Sequence, residues 1–183
     1  QVGENVRIYP GAKIIGCEHI YIGSNVIIDD FAFIYATAPV YIGSYVHISS
    51  YASVLGGGVA VLEDFCNLSP GARVFSGSDD FSGAGLTNST IPGEFRQVSR
   101  TFVHIGKFCM LGANSVVLPG VIVGEGSVVG AGGVVTGSIG SWGIHVGAPV
   151  RRVRERDSST ILRQEKELMA KYPYEPFVPP LLP

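Results

Sequence analysis

Branched aliphatic residues recur along this chain at a step of six residues over most of its length. An α-helix does not keep one face at that period, because six residues make about 1.7 turns. A short strand followed by a tight corner does fit, and three such units make one triangular coil whose aliphatic side chains point inward. The series runs through Ile8, Ile14, Ile22, Ile28, Ile34, Ile42, Ile48, Val54, Leu62, Leu68 and Val74, and resumes at Ile105, Leu111, Val117, Val123, Val129 and Val135.

Four steps in this series are longer than six residues, and they fall at every third unit. They are Ile14–Ile22, Ile34–Ile42 and Val54–Leu62, at eight residues each, and Val74–Ile105, at thirty-one. In a three-sided coil, insertions spaced in this way all leave from the same corner. Insertions into a solenoid commonly line one face, which is often the binding face. The pattern therefore predicts a three-sided solenoid whose loops share one edge.

The repeat, with glycine often following the aliphatic residue, resembles that of the hexapeptide-repeat family. The resemblance covers roughly residues 1–155 and includes Val146–Val150, which looks like that family's end-of-helix signature. It implies an all-β fold, a left-handed parallel β-helix, whose handedness comes from the resemblance alone because ordinary parallel crossovers are right-handed. It also implies acyl transfer from coenzyme A thioesters by a homotrimer with each active site between two subunits.

The chain beyond the repeat has the pattern of a short helix. Residues 157–160, Asp-Ser-Ser-Thr, offer helix N-cap groups, and apolar residues follow at helical spacing from Ile161 to Tyr172. We expect a short C-terminal α-helix over about 158–171, followed by an extended proline-rich tail. The predicted organisation is a β-helix over 1–155 with a long loop at 76–104, and a C-terminal segment over 156–183.

Composition narrows the possible functions. Hydrophobic residues make up 46% of the 183 residues, and 25 glycines suit short buried strands joined by tight corners. The net charge of -2 gives no strong attraction to nucleic acid, and no apolar run approaches the ~20 residues that span a bilayer. The three cysteines lack metal-ligand spacing. We expect them to be free thiols, and the protein to be cytoplasmic.

The long insertion carries the polar residues best suited to a ligand site. A loop of this length inside a compact repeat protein is usually functional. It contains three carboxylates, Asp79, Asp80 and Glu94. The runs Ser76–Gly83 and Ile91–Arg96 look like those of hexapeptide-repeat enzymes that acylate nucleotide-linked amino sugars, or other saccharides, for bacterial surface glycans. This resemblance implies that a sugar amino group attacks the acyl-CoA thioester directly.

Direct acyl transfer requires a general base near the attacking group and fixed donors for the developing oxyanion. The resemblance favours Asp80 as the catalytic or acceptor-binding carboxylate, with Asp79 and Glu94 behind it. The predicted catalytic residues are Asp80, His47, Glu94 and His104. The predicted substrate-binding residues are Asp79, Asn67 and Arg96. By the coil register, Asn67 lies one coil above His47 and both point outward. The sequence leaves open whether the base is a carboxylate or a histidine, and whether these residues instead cap turns or face solvent.

Small residues in the later coils match the positions at which the family binds the pantetheine arm of CoA. They are Gly112, Ala113, Gly130 and Ala131. Tight corners require small residues equally, so this prediction depends on the resemblance. Arg151 and Arg152 are predicted to contact the CoA phosphates. No metal ion is predicted, because a hydratase of this fold would need three histidine ligands and only His47 and His104 are well placed.

Two other functions are compatible with the repeat. One is an O-acetyltransferase of a free sugar such as a galactoside or maltose, in which a hydroxyl acceptor would favour a histidine base. The other is a non-catalytic solenoid, which accounts for the repeat but not for the long loop, His47 or the basic segment after the repeat.

Overall fold

The chain folds into a triangular prism of seven stacked coils, whose short strands form three walls of five, seven and six parallel strands. The computed structural model describes residues 1–180. The first wall contains Ile20–Ile22, Val40–Ile42, Val59–Leu62, Phe102–Ile105 and Val121–Val123. The second contains Arg7–Ile8, Ile27–Ile28, His47–Ile48, Asn67–Leu68, Met110–Leu111, Val128–Val129 and Gly143–Gly147. The third contains Lys13–Ile15, Phe33–Tyr35, Ser53–Leu55, Arg73–Phe75, Val116–Val117 and Val134–Val135. The predicted fold class is confirmed.

The six-residue series forms the core of the prism. Ile48 pairs in register with Ile28 below it and Leu68 above it, and all three side chains are fully buried. Successive side chains on a strand point to opposite faces. Ile27, next to Ile28, therefore points outward and is 37% exposed.

Aromatic residues stack along the corner between the first and second walls, which we call the aromatic corner. Tyr45, Phe65 and Phe108 have positive φ there, and their rings stack on one another in successive coils. The C-terminal tail covers this ladder, because Tyr174 packs edge-on against Tyr45. The backbone N–H of Phe177 also donates to Asp64 at 2.9 Å, and burial raises the pKa of that carboxyl.

All the insertions leave from the corner between the third and first walls, which we call the insertion corner. The first contains the 3₁₀ turn Cys17–His19. The longest forms an antiparallel hairpin of Gly77–Asp79 and Val98–Arg100, with a second 3₁₀ turn at Gly93–Phe95. The prediction that the insertions share one edge is confirmed. The wall resumes at Phe102, slightly earlier than the predicted loop end.

The prism ends in a hairpin, in which Gly143–Gly147 pairs antiparallel with Val150–Glu155. The C-terminal helix follows at Ser159–Lys171, and its predicted existence and position are confirmed. Residues 172–180 run without regular structure. The last part of the predicted tail, 181–183, lies outside the described residues. The three cysteines are free, as predicted.

Candidate active site

A cavity of about 860 Å³ lies between the long hairpin and the third wall. Its apolar floor is the outward face of four successive coils, at Tyr35, Leu55, Phe75 and Leu118. The hairpin contributes polar groups from the other side, at Asp79, Asp80, Asn88 and Arg96. A third set of lining residues consists of Gly56, Gly57 and Arg100. The cavity therefore combines an apolar surface with separate acidic and basic groups, as small-molecule sites commonly do.

Asp79 and Arg96 form an ion pair across the insertion. The Nη2 group of Arg96 donates to Oδ1 of Asp79 at 2.7 Å. This charge-assisted hydrogen bond holds the pKa of the Asp79 carboxyl below its usual range. The Nε atom of Arg96 is buried and has no hydrogen-bond partner within residues 1–180. Asp79 thus remains ionised in the acid range, and its Oδ2 atom accepts no side-chain hydrogen bond from residues 1–180.

Asp80 is fully engaged in the turn that follows it. Its Oδ1 atom accepts from both the backbone N–H and the hydroxyl of Ser82, at 3.0 and 2.6 Å, and its Oδ2 atom accepts from the N–H of Ala84 at 2.7 Å. These bonds to the charged form lower the pKa of Asp80 to about 2. With both oxygens engaged in its own turn, Asp80 is poorly placed to contact a substrate amine.

His47 and Asn67 are neighbours on the outer face of the second wall, as predicted from the register. The Nε2 atom of His47 lies 3.0 Å from Oδ2 of Asp29, and Nδ2 of Asn67 donates to Oγ of Ser69 at 3.4 Å. None of these residues lines the cavity beneath the hairpin. One chain therefore presents two separate groups of predicted site residues.

The remaining two predicted catalytic residues lie outside the cavity. His104 is on the first wall, where its Nε2 atom is 2.5 Å from Oε1 of Glu63. The second oxygen of Glu63 accepts the backbone N–H of Lys107. Glu94 is exposed on the 3₁₀ turn of the insertion and does not line the cavity. The structure does not bring either residue to Asp79 or Asp80.

Sequence reasoning missed Asp29, Glu63, Ser69 and Arg100. The first three are contacts of residues it did identify, but they come from neighbouring coils or corners. Their pairing depends on side-chain direction, which the six-residue spacing does not specify. Arg100 carried a detectable signal, because it is a cation at the end of the insertion, two residues before the wall resumes at Phe102.

The predicted CoA-binding residues lie along the corner between the second and third walls, which we call the small-residue corner. A Cβ atom on Gly112 would lie 2.6 Å from the backbone nitrogen of Ala131, so coil stacking itself requires glycine there. Arg151 and Arg152 are on the terminal hairpin. Arg151 donates to the carbonyl of Val150, and Arg152 forms an ion pair with Glu155. Gly112, Ala113, Gly130 and Ala131 thus form a strip that leads toward two arginines.

Two features of residues 1–180 bear on function. No group of three histidine, cysteine or acidic side chains is arranged there to hold a metal ion. In the same residues, no helix has the length and apolar character needed to cross a membrane.

Comparison with known proteins identifies the family. Residues 102–137 match the hexapeptide repeat of succinyl-transferase. The chain is 36% identical over 161 residues to dTDP-4-amino-4,6-dideoxy-D-glucose acyltransferase of Escherichia coli, covering 87% of this chain and 84% of the relative. A shorter match, 38% identical over 77 residues, covers 42% of this chain and 39% of WbbJ from E. coli K12, a protein named for O-acetyl transfer in lipopolysaccharide biosynthesis.

The fold is also similar to crystal structures of AntD, an N-acyltransferase from Bacillus cereus. A serine-to-threonine variant with dTDP and coenzyme A aligns with a TM-score of 0.87 at 38% identity, over 92% of this chain and 90% of AntD. An aspartate-to-asparagine variant, altered ten positions further along, aligns with a TM-score of 0.88 at 38% identity, over 93% and 91%. The extent and identity of these matches show that the chain belongs to the hexapeptide-repeat, CoA-dependent acyltransferases, in the group that acts on nucleotide-linked amino sugars.

Proposed function

We propose that this chain transfers an acyl group from acyl-CoA to the amino group of a dTDP-linked sugar of the 4-amino-4,6-dideoxyglucose type. The observation that carries the proposal is the length of the match to the E. coli relative, which spans 87% of the chain. A match of that length extends beyond the repeat and includes the insertion that lines the cavity.

The chemistry requires little covalent participation by the protein. The lone pair of a neutral amine forms a bond to the thioester carbonyl carbon, and the carbon–sulfur bond then breaks. The nitrogen loses a proton, and the departing CoA thiolate gains one, so no net acid or base is consumed. The protein must aim the amine at the carbonyl carbon, and an ionised carboxylate that accepts a hydrogen bond from the amine can aim it and receive its proton.

Asp79 is the carboxylate best suited to this role. It lines the cavity and is ionised, and Arg96 fixes one of its two oxygens. Asp80, which the sequence favoured, has both oxygens occupied by its own turn. We therefore assign Asp80 to shaping the loop, and Asp79 to contact with the sugar amino group.

The AntD variants support a second contact residue. In this chain, Ser69 is the only serine with an aspartate ten residues further on, and that aspartate is Asp79. The same spacing separates the serine and the aspartate altered in AntD. Ser69 is 9% exposed beside Asn67 and does not line the cavity that contains Asp79. A site that uses both residues is completed between two subunits.

A homotrimer with composite sites is therefore part of the proposal. The outward face of the second wall offers a surface for subunit contact next to Asn67, because the apolar side chain of Met110 lies beside Asn67 in register and is 41% exposed. Contact there would bring Asn67 and Ser69 of one subunit toward the hairpin of the next. The pantetheine arm would then follow the small-residue corner toward Arg151 and Arg152. The use of acyl-CoA places the proposed reaction in the cytoplasm. The acylated amino sugar would serve as a precursor of bacterial surface polysaccharides.

O-acetylation of a free sugar is the second candidate function. The partial similarity to WbbJ favours it, as does the pairing of His47 with Asp29. A carboxylate that orients an imidazole supplies the base that a hydroxyl acceptor needs. His104 with Glu63 is a second pair of this kind, but it lies on the first wall, away from both groups of site residues. Glu94 takes no part in either proposed mechanism.

A thiol-release assay tests the proposal. With acetyl-CoA or 3-hydroxybutyryl-CoA as donor, CoA release should depend on dTDP-4-amino-4,6-dideoxyglucose and not on galactosides or maltose. Asp79→Asn should lower kcat/KM for the amino sugar by about 10²–10⁴-fold. Asp157→Asn, at an exposed carboxylate before the C-terminal helix, is the matched control and should leave the rate unchanged. Release with simple sugars alone would refute the proposed acceptor.

A further inference from the structure

One cation in the cavity has no role in the acyl-transfer chemistry described above. Arg100 lies at the end of the insertion, pairs antiparallel with Gly77, and lines the cavity. It forms no ion pair with any carboxylate of residues 1–180. The two acidic residues of the cavity are engaged elsewhere, Asp79 by Arg96 and Asp80 by its own turn. A free guanidinium in a concave site is a ready ligand for an anion.

The backbone beside Arg100 adds further donors. Gly56 and Gly57 also line the cavity, with φ of 116° and 73°. Their N–H groups donate to no other group within the described chain. Successive free N–H groups in a turn of positive φ form a small concavity that binds anions. A Cβ atom on Gly57 would lie 3.3 Å from Nε of Arg100, so the arginine packs directly over this turn.

The position of Arg100, Gly56 and Gly57 within the cavity indicates the kind of anion that they bind. On one side is the apolar floor with two aromatic rings, Tyr35 and Phe75, which suits a nucleobase. On the other side, the hairpin presents Asp79, the proposed contact of the sugar amino group. A ligand that spans the cavity therefore carries its negative charge between a planar ring and an amino sugar. That order of groups is the order in a nucleoside diphosphate sugar.

We propose that Arg100, together with the free N–H groups of Gly56 and Gly57, binds the diphosphate of the nucleotide-linked acceptor. This subsite rests on the proposed function and adds the residues by which the enzyme selects a nucleotide-linked sugar over the free sugar. Arginine suits the task because its planar fork donates two parallel hydrogen bonds to phosphate oxygens. Arg100 thus determines acceptor affinity and takes no part in proton transfer.

The test compares ligands that differ only in the diphosphate. Calorimetric titration with dTDP and with thymidine is carried out on the wild type, Arg100→Gln and Arg100→Lys. Arg100→Gln should weaken dTDP binding by about 10- to 100-fold, the loss expected for a charge-assisted hydrogen bond, and leave thymidine binding unchanged. Arg100→Lys should recover part of the affinity. Arg73→Gln is the matched control, because Arg73 is exposed on the third wall and does not line the cavity.

Steady-state kinetics provides a second measurement. Arg100→Gln should raise KM for the dTDP-linked amino sugar with little change in kcat or in KM for acyl-CoA. Unchanged dTDP affinity, or an equal loss for dTDP and thymidine, would overturn the diphosphate assignment. Absence of dTDP binding by the wild-type protein would instead overturn the proposed acceptor class. The two failures are therefore distinguishable.

Discussion

The alternation of inward and outward side chains can be tested at one pair of adjacent, identical residues. Ile27 and Ile28 lie on the same short strand, and only Ile28 points into the prism. Ile28 is 0% exposed and is stacked on Ile48 of the next coil, whereas Ile27 is 37% exposed. Substitution of either by alanine removes the same atoms, so any difference in stability comes from the environment.

The magnitudes follow from burial. Truncation of a fully buried isoleucine to alanine costs roughly 2–5 kcal/mol, because it loses apolar burial and leaves a cavity. Ile27 has only part of its side chain covered, and its truncation leaves no enclosed cavity. Full burial of an aliphatic side chain contributes about 1.5–3 kcal/mol, so Ile27→Ala should cost only a fraction of that, about 1 kcal/mol. In a protein of this size, 1 kcal/mol corresponds to about 2–4 °C in Tm. We therefore expect Ile28→Ala to lower Tm by about 5–15 °C and Ile27→Ala by a few degrees at most.

Differential scanning calorimetry at one fixed protein concentration is the suitable assay, since the proposed oligomer would make Tm depend on concentration. Circular dichroism at low temperature should confirm that both variants remain folded. Equal losses for the two variants, or a larger loss for Ile27→Ala, would refute the assignment of the inward face and with it the register of the prism.

Three further predictions concern the site and the insertion. Arg96→Met should move the acid limb of the kcat/KM profile to higher pH. Arg96 lowers the pKa of Asp79, so the carboxylate is protonated only at low pH in the wild type and at a higher pH once the guanidinium is removed. An unchanged pH profile would show that Asp79 does not control the rate. Gly58→Ala should destabilise the base of the insertion by several kcal/mol, because the added Cβ would lie 2.1 Å from a backbone carbonyl oxygen. Gly93→Ala is the control, because no atom lies within 4 Å of its added Cβ, and it should leave Tm and the rate of limited proteolysis unchanged. Arg151→Ala should raise KM for acyl-CoA several-fold without altering KM for the sugar, and the opposite pattern in steady-state kinetics would remove the terminal hairpin from the CoA site.

The fold was predictable because its information is local. A buried aliphatic residue every sixth position specifies a strand and a corner without reference to distant residues, and the longer steps identify the corner from which loops leave. The helix after Ser158 was predictable for the same reason, since its apolar spacing lies within one short segment. The register followed directly, and it placed Asn67 above His47, where the structure has it.

The site was predictable only in part. Asp79, Asp80 and Arg96 were identified because all three lie in one insertion, and the structure brings them to one cavity. The preference for Asp80 over Asp79 came from the resemblance. The hydrogen bonds distinguish the two residues, because Asp80 is engaged by its own turn while Asp79 reaches across the hairpin to Arg96.

The sequence by itself determined the three-sided solenoid, the shared edge of its insertions and the terminal helix, because each depends on spacing along the chain. Only the tertiary structure decided which polar groups meet. Asp29 reaches His47 from the preceding coil, Glu63 reaches His104 across the long insertion, and Arg100 comes to lie over Gly57. These contacts join residues that are far apart in sequence or on different corners. The conformations of the polar side chains and of the corners bring them together, and neither is encoded in a periodic pattern of apolar residues.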